Sequence, residues 1–200
     1  MIGNRVVGLA ALAGAVGFAS HSASPPTIND SMTKVMAVNA QTIWDISSHA
    51  FNAKGDGLVA RKVTPKDWAQ LADAGRQMKA RALLLAQAPA TLVVTAPEEH
   101  VLGEDASHPG AKATWDAASP RQIKALIDGN PALFKKRAMI LANAAGDLEK
   151  AARTRDVRVL YRVSSNLDEY CDGCHKPFWG TDDPPPVSAA VRRQAPLKGR

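Results

Sequence analysis

The sequence predicts an all-α protein, an antiparallel four-helix bundle. Aromatic residues make up only 5% of the 200 residues while alanine is frequent, which favours helices over strands. Four stretches place apolar residues three or four positions apart, the spacing of one face of a helix. Three of these stretches follow a residue that commonly caps a helix N-terminus, namely Thr27, Thr64 and Asn130.

Residues 1–24 have the features of a secretory signal peptide. Arg5 gives a short positive region, residues 6–18 are apolar, and small residues follow, with cleavage boxes ending at Ala19 or Ala23. The apolar stretch is shorter than the ~20 residues of a membrane-spanning helix, so we expect cleavage and no stable membrane span afterwards. No cysteine follows it, which argues against a lipoprotein. The sequence therefore predicts export, to the periplasm of a bacterium.

The first two helices have clear starts. Thr27 with Asp30 forms a possible capping box for a helix over about 28–50, and Thr64 with Pro65 and Asp67 begins the second, which ends before Pro89. Between them, residues 52–62 indicate a loop. The first predicted inward face is Ile28, Met32, Met36, Ile43 and Ser47. The second is Trp68, Leu71, Gly75, Met78, Ala82 and Leu85.

The long connection over residues 89–118 lacks helical periodicity and contains several prolines. A connection of this length inside a small domain is either functional or mobile. It holds His100 and His108, each of which is expected to be a solvated side chain or, alternatively, an iron ligand or a pH-sensitive group.

The last two helices follow a short one. Ser119-Pro120 with Gln122 predicts a short helix through Ile127, and Asn130 caps the third long helix with Pro131 in its first turn. Its predicted face is Phe134, Ala138, Leu141, Ala145, Leu148 and Ala152. The fourth helix is predicted over 157–178, with the face Val157, Leu160, Ser164, Leu167, Cys171, Cys174 and Phe178. After it, residues 180–200 are Pro-rich and then basic, which predicts a disordered tail.

The sequence Cys171-Asp172-Gly173-Cys174-His175 near the end of the fourth helix is a C-x-x-C-H motif. This motif attaches a c-type haem, with the two thiols linked to the porphyrin and the histidine bound to iron. Three alternatives fit less well. A thioredoxin-like pair needs a helix N-terminus beside a strand. A structural zinc needs four ligands, and a disulfide within one helix would be strained.

The bundle topology suggests a second iron ligand. In an up-down-up-down arrangement the first helix starts where the fourth ends, so Met32 and His175 lie at a similar depth, about one turn from those ends. Methionine on an apolar helix face is usually a packing residue, but it is also a common partner of histidine in cytochromes. Met36, one turn deeper, is the alternative, and the connection over 89–118 would lie at the same end.

The chain resembles a known family, cytochrome c-prime and its low-spin relatives of the cytochrome c-556 group. The resemblance covers roughly residues 28–179 and rests on SMTKVMAVNAQTIWD, TPKDWAQLADAGRQMKARALLL, QIKALIDGNPALFKKRA and LDEYCDGCHKPFW. The last segment is highly specific, and the others count through their order and spacing. Pro177 departs from the family, whose members commonly have a basic or polar residue there. Proline removes a helical hydrogen bond, so the helix is expected to end or kink at the proximal ligand, His175.

The resemblance implies an exported protein with one haem c that transfers single electrons by Fe(II)/Fe(III) cycling. Low-spin members use a methionine near the start of the first helix as second axial ligand, a position that matches Met32. Five-coordinate members leave that face open for nitric oxide or carbon monoxide, which is the alternative. A haem peroxidase is a third, but neither Met32 nor its apolar neighbours provides an acid–base group, so we expect an electron carrier rather than an enzyme.

Partners are only loosely defined by the sequence. The formal net charge of +6 is compatible with an acidic redox partner, or with an ordinary solvated surface. No basic stripe is interleaved with aromatic residues, so nucleic-acid binding is not expected. The resemblance also implies a possible homodimer, since family members often pair through their first two helices. The redox partner, the potential and the sixth iron ligand are left open.

Overall fold

The computed structural model describes residues 26–97 and 118–179. Helices make up 80% of these residues and none lies in a strand, which confirms the prediction of an all-α fold. No helix in these two ranges is both long and apolar enough to cross a membrane. The predicted signal peptide, His100 and His108 with most of their connection, and the predicted tail lie outside the described residues.

Helix α1 spans residues 28–50 and starts where the sequence predicts. The Thr27 hydroxyl oxygen accepts a hydrogen bond from the backbone N–H of Asp30 at 2.9 Å. The helix has three consecutive segments, Ile28–Ser31, Met32–Met36 and Ala37–Ala50, and the middle one is a π-helix. In it, the N–H of Ala37 donates to the carbonyl of Met32.

Helix α2, Pro65–Gln87, begins with the predicted capping box. Thr64 Oγ1 accepts from the N–H of Asp67 at 3.2 Å, and Asp67 accepts from the N–H of Thr64 at 2.8 Å. That second bond holds the pKa of the Asp67 carboxyl below its ordinary value. All six positions of the predicted inward face are buried.

Helices α3, Pro120–Gly129, and α4, Pro131–Thr154, also start as predicted. Ser119 and Gln122 form a reciprocal capping box, and Asn130 Oδ1 accepts from the N–H of Leu133 at 3.2 Å. The short helix ends at Gly129 rather than at the predicted Ile127. The predicted face of α4 is buried at all six positions.

Helix α5 spans residues 157–178, the predicted range, but it is not one uninterrupted helix as expected. It consists of Val157–Ser165 and Leu167–Phe178, which meet at Asn166. The side-chain amide of Asn166 donates to the carbonyl of Arg162 at 2.7 Å, so it competes with the backbone for a helical acceptor. The second segment runs past His175 and through Pro177 to Phe178, so the expectation of a helix end at His175 is wrong. The segment stops one residue after the proline, which removes one helical hydrogen bond.

Neighbouring long helices run antiparallel. Between α1 and α2, Arg81 Nη1 lies 3.4 Å from Ser31 Oγ near one end, and His49 Nε2 lies 3.7 Å from Asp67 near the other. Between α4 and α5, Arg162 donates a hydrogen bond to Asp147 at 2.8 Å, and further along Arg137 lies against Gly173.

Helices α2 and α4 approach each other unusually closely at Gly75. A Cβ atom placed on Gly75 would lie 2.7 Å from the backbone nitrogen of Glu149 and 2.8 Å from the carbonyl oxygen of Ala145. Both atoms belong to a helical backbone and cannot move aside at low cost. Glycine at this position therefore allows α2 and α4 to pack backbone against backbone.

One end of the molecule collects the start of α1, the end of α5 and both ends of the long connection. The carbonyls of Val93 and Val94 accept from the N–H groups of Ile28 and Asn29 at 2.8 and 2.9 Å. These are N–H groups of the first turn of α1, which has no partners for them within the helix. At the other end of the connection, the N–H of Ala118 approaches the carbonyl of Trp179 at 3.5 Å.

Candidate functional site

Cys171, Cys174 and His175 all lie on the second segment of α5. Cys174 is buried, with 7% of its surface exposed, whereas Cys171 and His175 are half-buried. The two cysteines are not joined by a disulfide. The expectation that both cysteines point into the core is therefore correct for Cys174, while Cys171 lies at the edge of the core.

Burial changes the acidity of one of these thiols. Removal from solvent raises the pKa of the Cys174 thiol from 9.0 to about 11, and the nearby guanidinium of Arg137 opposes that rise only in part. The thiol of Cys174 therefore stays protonated to a higher pH than an exposed thiol would. A protonated thiol is a weak nucleophile, so burial lowers the reactivity of Cys174.

Arg137 of α4 lies directly against the motif. A Cβ atom on Gly173 would lie 3.4 Å from Arg137 Cδ, 3.6 Å from Nη1 and 3.8 Å from Nε. The Nε atom of Arg137 is buried and has no hydrogen-bond partner among the described residues. Sequence reasoning missed this residue, because only the contact between α4 and α5 shows that it adjoins the motif.

Aromatic side chains fix the end of α5. The rings of Phe178 and Phe134 are both buried and meet edge to face, with centroids 5.2 Å apart. The imidazole of His175 lies beside the indole of Trp179, with ring centroids 6.0 Å apart and planes inclined at 54°. The N–H of Trp179 donates to the carbonyl of His175 at 2.7 Å. These contacts hold the backbone of His175 in the last helical turn despite Pro177.

Met32 and Met36 differ in their surroundings. Met36 is buried, with 5% of its surface exposed, and belongs to the core. Met32 is half-buried and packs against the edge of that core. Both lie in the π-helical segment of α1, a form that is rare in proteins and frequent at functional sites. Met32 is thus the more accessible of the two candidate ligands.

The topology brings Met32 and His175 to the same end of the molecule. Phe51, after α1, meets Tyr161 near the start of α5 with ring centroids 6.1 Å apart, so the opposite ends of these helices also correspond. The N-terminal half of α1 and the last turns of α5 therefore lie at the end where the long connection begins and finishes.

The residues at this end suit a covalently attached haem. Two thiols and an imidazole lie within one helical segment. The buried Nε of Arg137, which has no partner among residues 26–97 and 118–179, adjoins them and could donate to an anionic group. Across the ranges that the structure describes, no three His, Cys, Asp or Glu side chains converge as a site for a bare metal ion. Comparisons with protein-family models, curated proteins and solved structures give no match.

Proposed function

We propose that this chain is an exported c-type cytochrome that holds one haem c and carries single electrons. The observation that supports this most directly is the placement of the C-x-x-C-H motif. It lies in a helical segment at the end of the molecule where the first helix begins, with Cys174 inside the core. The haem would supply one-electron Fe(II)/Fe(III) chemistry at this site.

The fold we propose is an antiparallel four-helix bundle of α1, α2, α4 and α5. It is supported by the antiparallel contacts of α1 with α2 and of α4 with α5, and by the close approach of α2 to α4 at Gly75. The contact of Phe51 with Tyr161 joins α1 to α5 and would close the ring of four helices. Such bundles bind cofactors between facing helices.

Three residues of α5 would hold the cofactor. Cys171 and Cys174 lie three positions apart on one helix and so face the same side, which allows both sulfur atoms to bond to one porphyrin. His175 follows directly and would bind iron through its imidazole. The contacts of Phe178 and Trp179 with their neighbours would keep this imidazole in place.

Met32 is proposed as the second axial ligand. It is at the same end as His175, it is more accessible than Met36, and it lies in the π-helical segment. A thioether ligand favours the reduced state of iron and raises its potential. A site with His175 and Met32 bound in both redox states would need little rearrangement during electron transfer.

A second function is supported by the exposure of Met32. This side chain is only half-buried, so a small molecule could reach its face of the site from solvent. If Met32 is not a ligand, His175 would be the only axial group and the opposite face would accept nitric oxide or carbon monoxide. The protein would then bind gases rather than act mainly as an electron carrier.

Optical spectra of the purified ferric and ferrous protein distinguish these functions. Electron transfer predicts a low-spin ferric spectrum with a methionine-to-iron charge-transfer band, and a ferrous spectrum that carbon monoxide does not change. A high-spin spectrum that responds to carbon monoxide would contradict it. Met32→Ala should abolish the charge-transfer band, whereas Met36→Ala, the matched control, should keep the band and lower stability by roughly 2–5 kcal/mol.

A further inference from the structure

The contact between Arg137 and Gly173 places a positive charge beside the C-x-x-C-H motif. Gly173 lies between the two cysteines of the motif and two residues before His175. Because glycine has no side chain, Cδ, Nε and Nη1 of Arg137 can lie within 3.8 Å of the position that a Cβ would take. A longer side chain at position 173 that pointed this way would displace the guanidinium.

The Arg137 side chain is partly buried. Its Nε is buried without a hydrogen-bond partner among the described residues. The one carboxylate within the motif, Asp172, is already paired with Lys176 at 2.8 Å in a solvent-exposed contact. A partly buried cation is screened less than an exposed one, so its field acts on neighbouring charges more strongly than that of a surface lysine.

From this arrangement, and building on the function proposed above, we propose that Arg137 sets the redox equilibrium of the attached haem. Its positive charge, held against Gly173, opposes the extra positive charge of Fe(III) and so favours Fe(II). Arg137 would act through its charge alone, since it binds neither the iron nor the sulfur atoms. The same contact explains why position 173 of α5 is a glycine, since a side chain there would meet Arg137.

The test is a potentiometric titration of the haem-loaded protein and its variants. Arg137→Met, which removes the charge and keeps much of the length, should lower the ratio of Fe(II) to Fe(III) about tenfold at a fixed electrode potential. For one electron this is a shift of about 59 mV to lower potential. Arg137→Lys should restore most of the original potential, because it keeps a cation on the same stem.

Lys136→Met is the matched control, since it removes a neighbouring cation that is exposed on the same helix. Solvent screens that charge, so its removal should shift the potential much less. Equal shifts for Arg137→Met and Lys136→Met, or no shift for either, would overturn the proposal while leaving the presence of a haem intact. An absence of haem from the unmodified protein would instead refute the proposed function.

Gly173→Leu provides an independent variant, because it displaces the guanidinium without deleting it. It should lower the potential in the Arg137 background and have little effect in the Arg137→Met background. If Arg137→Met does not attach haem, the potential shift of Gly173→Leu is compared with that of Lys136→Met instead. A larger shift for Gly173→Leu supports the proposal, and an equal shift overturns it. Loss of haem in both variants, with haem kept by Arg137→Lys, would overturn the proposal in favour of a purely structural role.

Discussion

The two cysteines of the motif occupy different environments, although the sequence presents them as an equivalent pair. Cys174 has 7% of its surface exposed and Cys171 is half-buried. The helical period predicts one shared face for both, and it cannot show that the edge of the core passes between them. The spacing of the motif was readable from sequence, but the burial of each thiol depends on how α4 packs against α5.

This difference predicts a pH dependence in the haem-free chain. Alkylation of Cys174 by iodoacetamide should reach half its maximal rate near pH 11, because burial raises the pKa of that thiol to about 11. In the urea-unfolded chain the same thiol should titrate at its ordinary, lower pKa. Mass spectrometry of the modified peptides gives both rates, and identical profiles in the folded and unfolded chains would contradict the burial of Cys174.

The sign of the effect on stability follows from the same pKa. The folded chain holds the Cys174 proton more tightly, so its contribution is complete below about pH 9 and is lost as the pH rises toward about 11. The free energy of unfolding of the haem-free protein should fall by about 2–3 kcal/mol over this interval. Cys174→Ala removes the titrating group, so its free energy of unfolding should fall less over the same interval. Urea titrations at several pH values measure the difference.

At the scale of helices, the starts were predictable and one interruption was not. Thr27, Thr64, Ser119 and Asn130 all accept the hydrogen bonds expected of N-cap residues. Capping depends on a few neighbouring residues, so it can be read locally. The break at Asn166 accompanies a hydrogen bond from its side-chain amide to a backbone carbonyl in the preceding turn. Residue type alone does not determine whether that bond forms.

The packing of α2 against α4 gives a stability prediction with an internal control. Gly75→Ala would place a Cβ within 2.8 Å of two backbone atoms of α4, so the helices must separate, at a cost of roughly 1–3 kcal/mol. Gly146→Ala would meet only the flexible side chain of Lys79, at 3.5 Å. It should be neutral or stabilise the helix by about 0.5–1 kcal/mol.

Thermal or urea unfolding of the two glycine variants checks this packing. Gly75→Ala should be clearly less stable than Gly146→Ala, although both replace a glycine inside a long helix. If the two variants had the same stability, the close approach of α2 and α4 would not exist in solution. Sequence periodicity placed Gly75 on the inward face, but only the backbone distances show why it is a glycine.

At the scale of the whole molecule, the elements of the candidate site meet at one end. The order and direction of the helices were predictable from the lengths of the connections, and they placed Met32 near the level of His175. The bonds from Ile28 and Asn29 to Val93 and Val94 were not predictable, because they join a helix start to a segment without periodicity. Arg137 was missed for a similar reason, since its role depends on contact between two helices.

Because the elements of the candidate site meet at one end, haem attachment should rigidify that end most. Hydrogen exchange of the haem-loaded protein, compared with the haem-free chain, should slow most in residues 28–36, 92–94 and 171–179. Residues near the opposite end, such as 155–161, should change little, because they lie far from the motif. Slowing that is uniform along the chain, or absent from 28–36, would contradict a site formed between α1 and α5.

Covalent attachment of a haem through Cys171 and Cys174 underlies every function proposed for this chain. Intact-mass spectrometry under denaturing conditions tests it, on protein exported from a bacterium that carries a c-type haem attachment system. We expect a chain heavier by one haem that survives acid extraction, and a Cys171→Ser/Cys174→Ser variant at the mass of the bare polypeptide. A wild-type chain at its bare mass, with both thiols open to alkylation after unfolding, would contradict it.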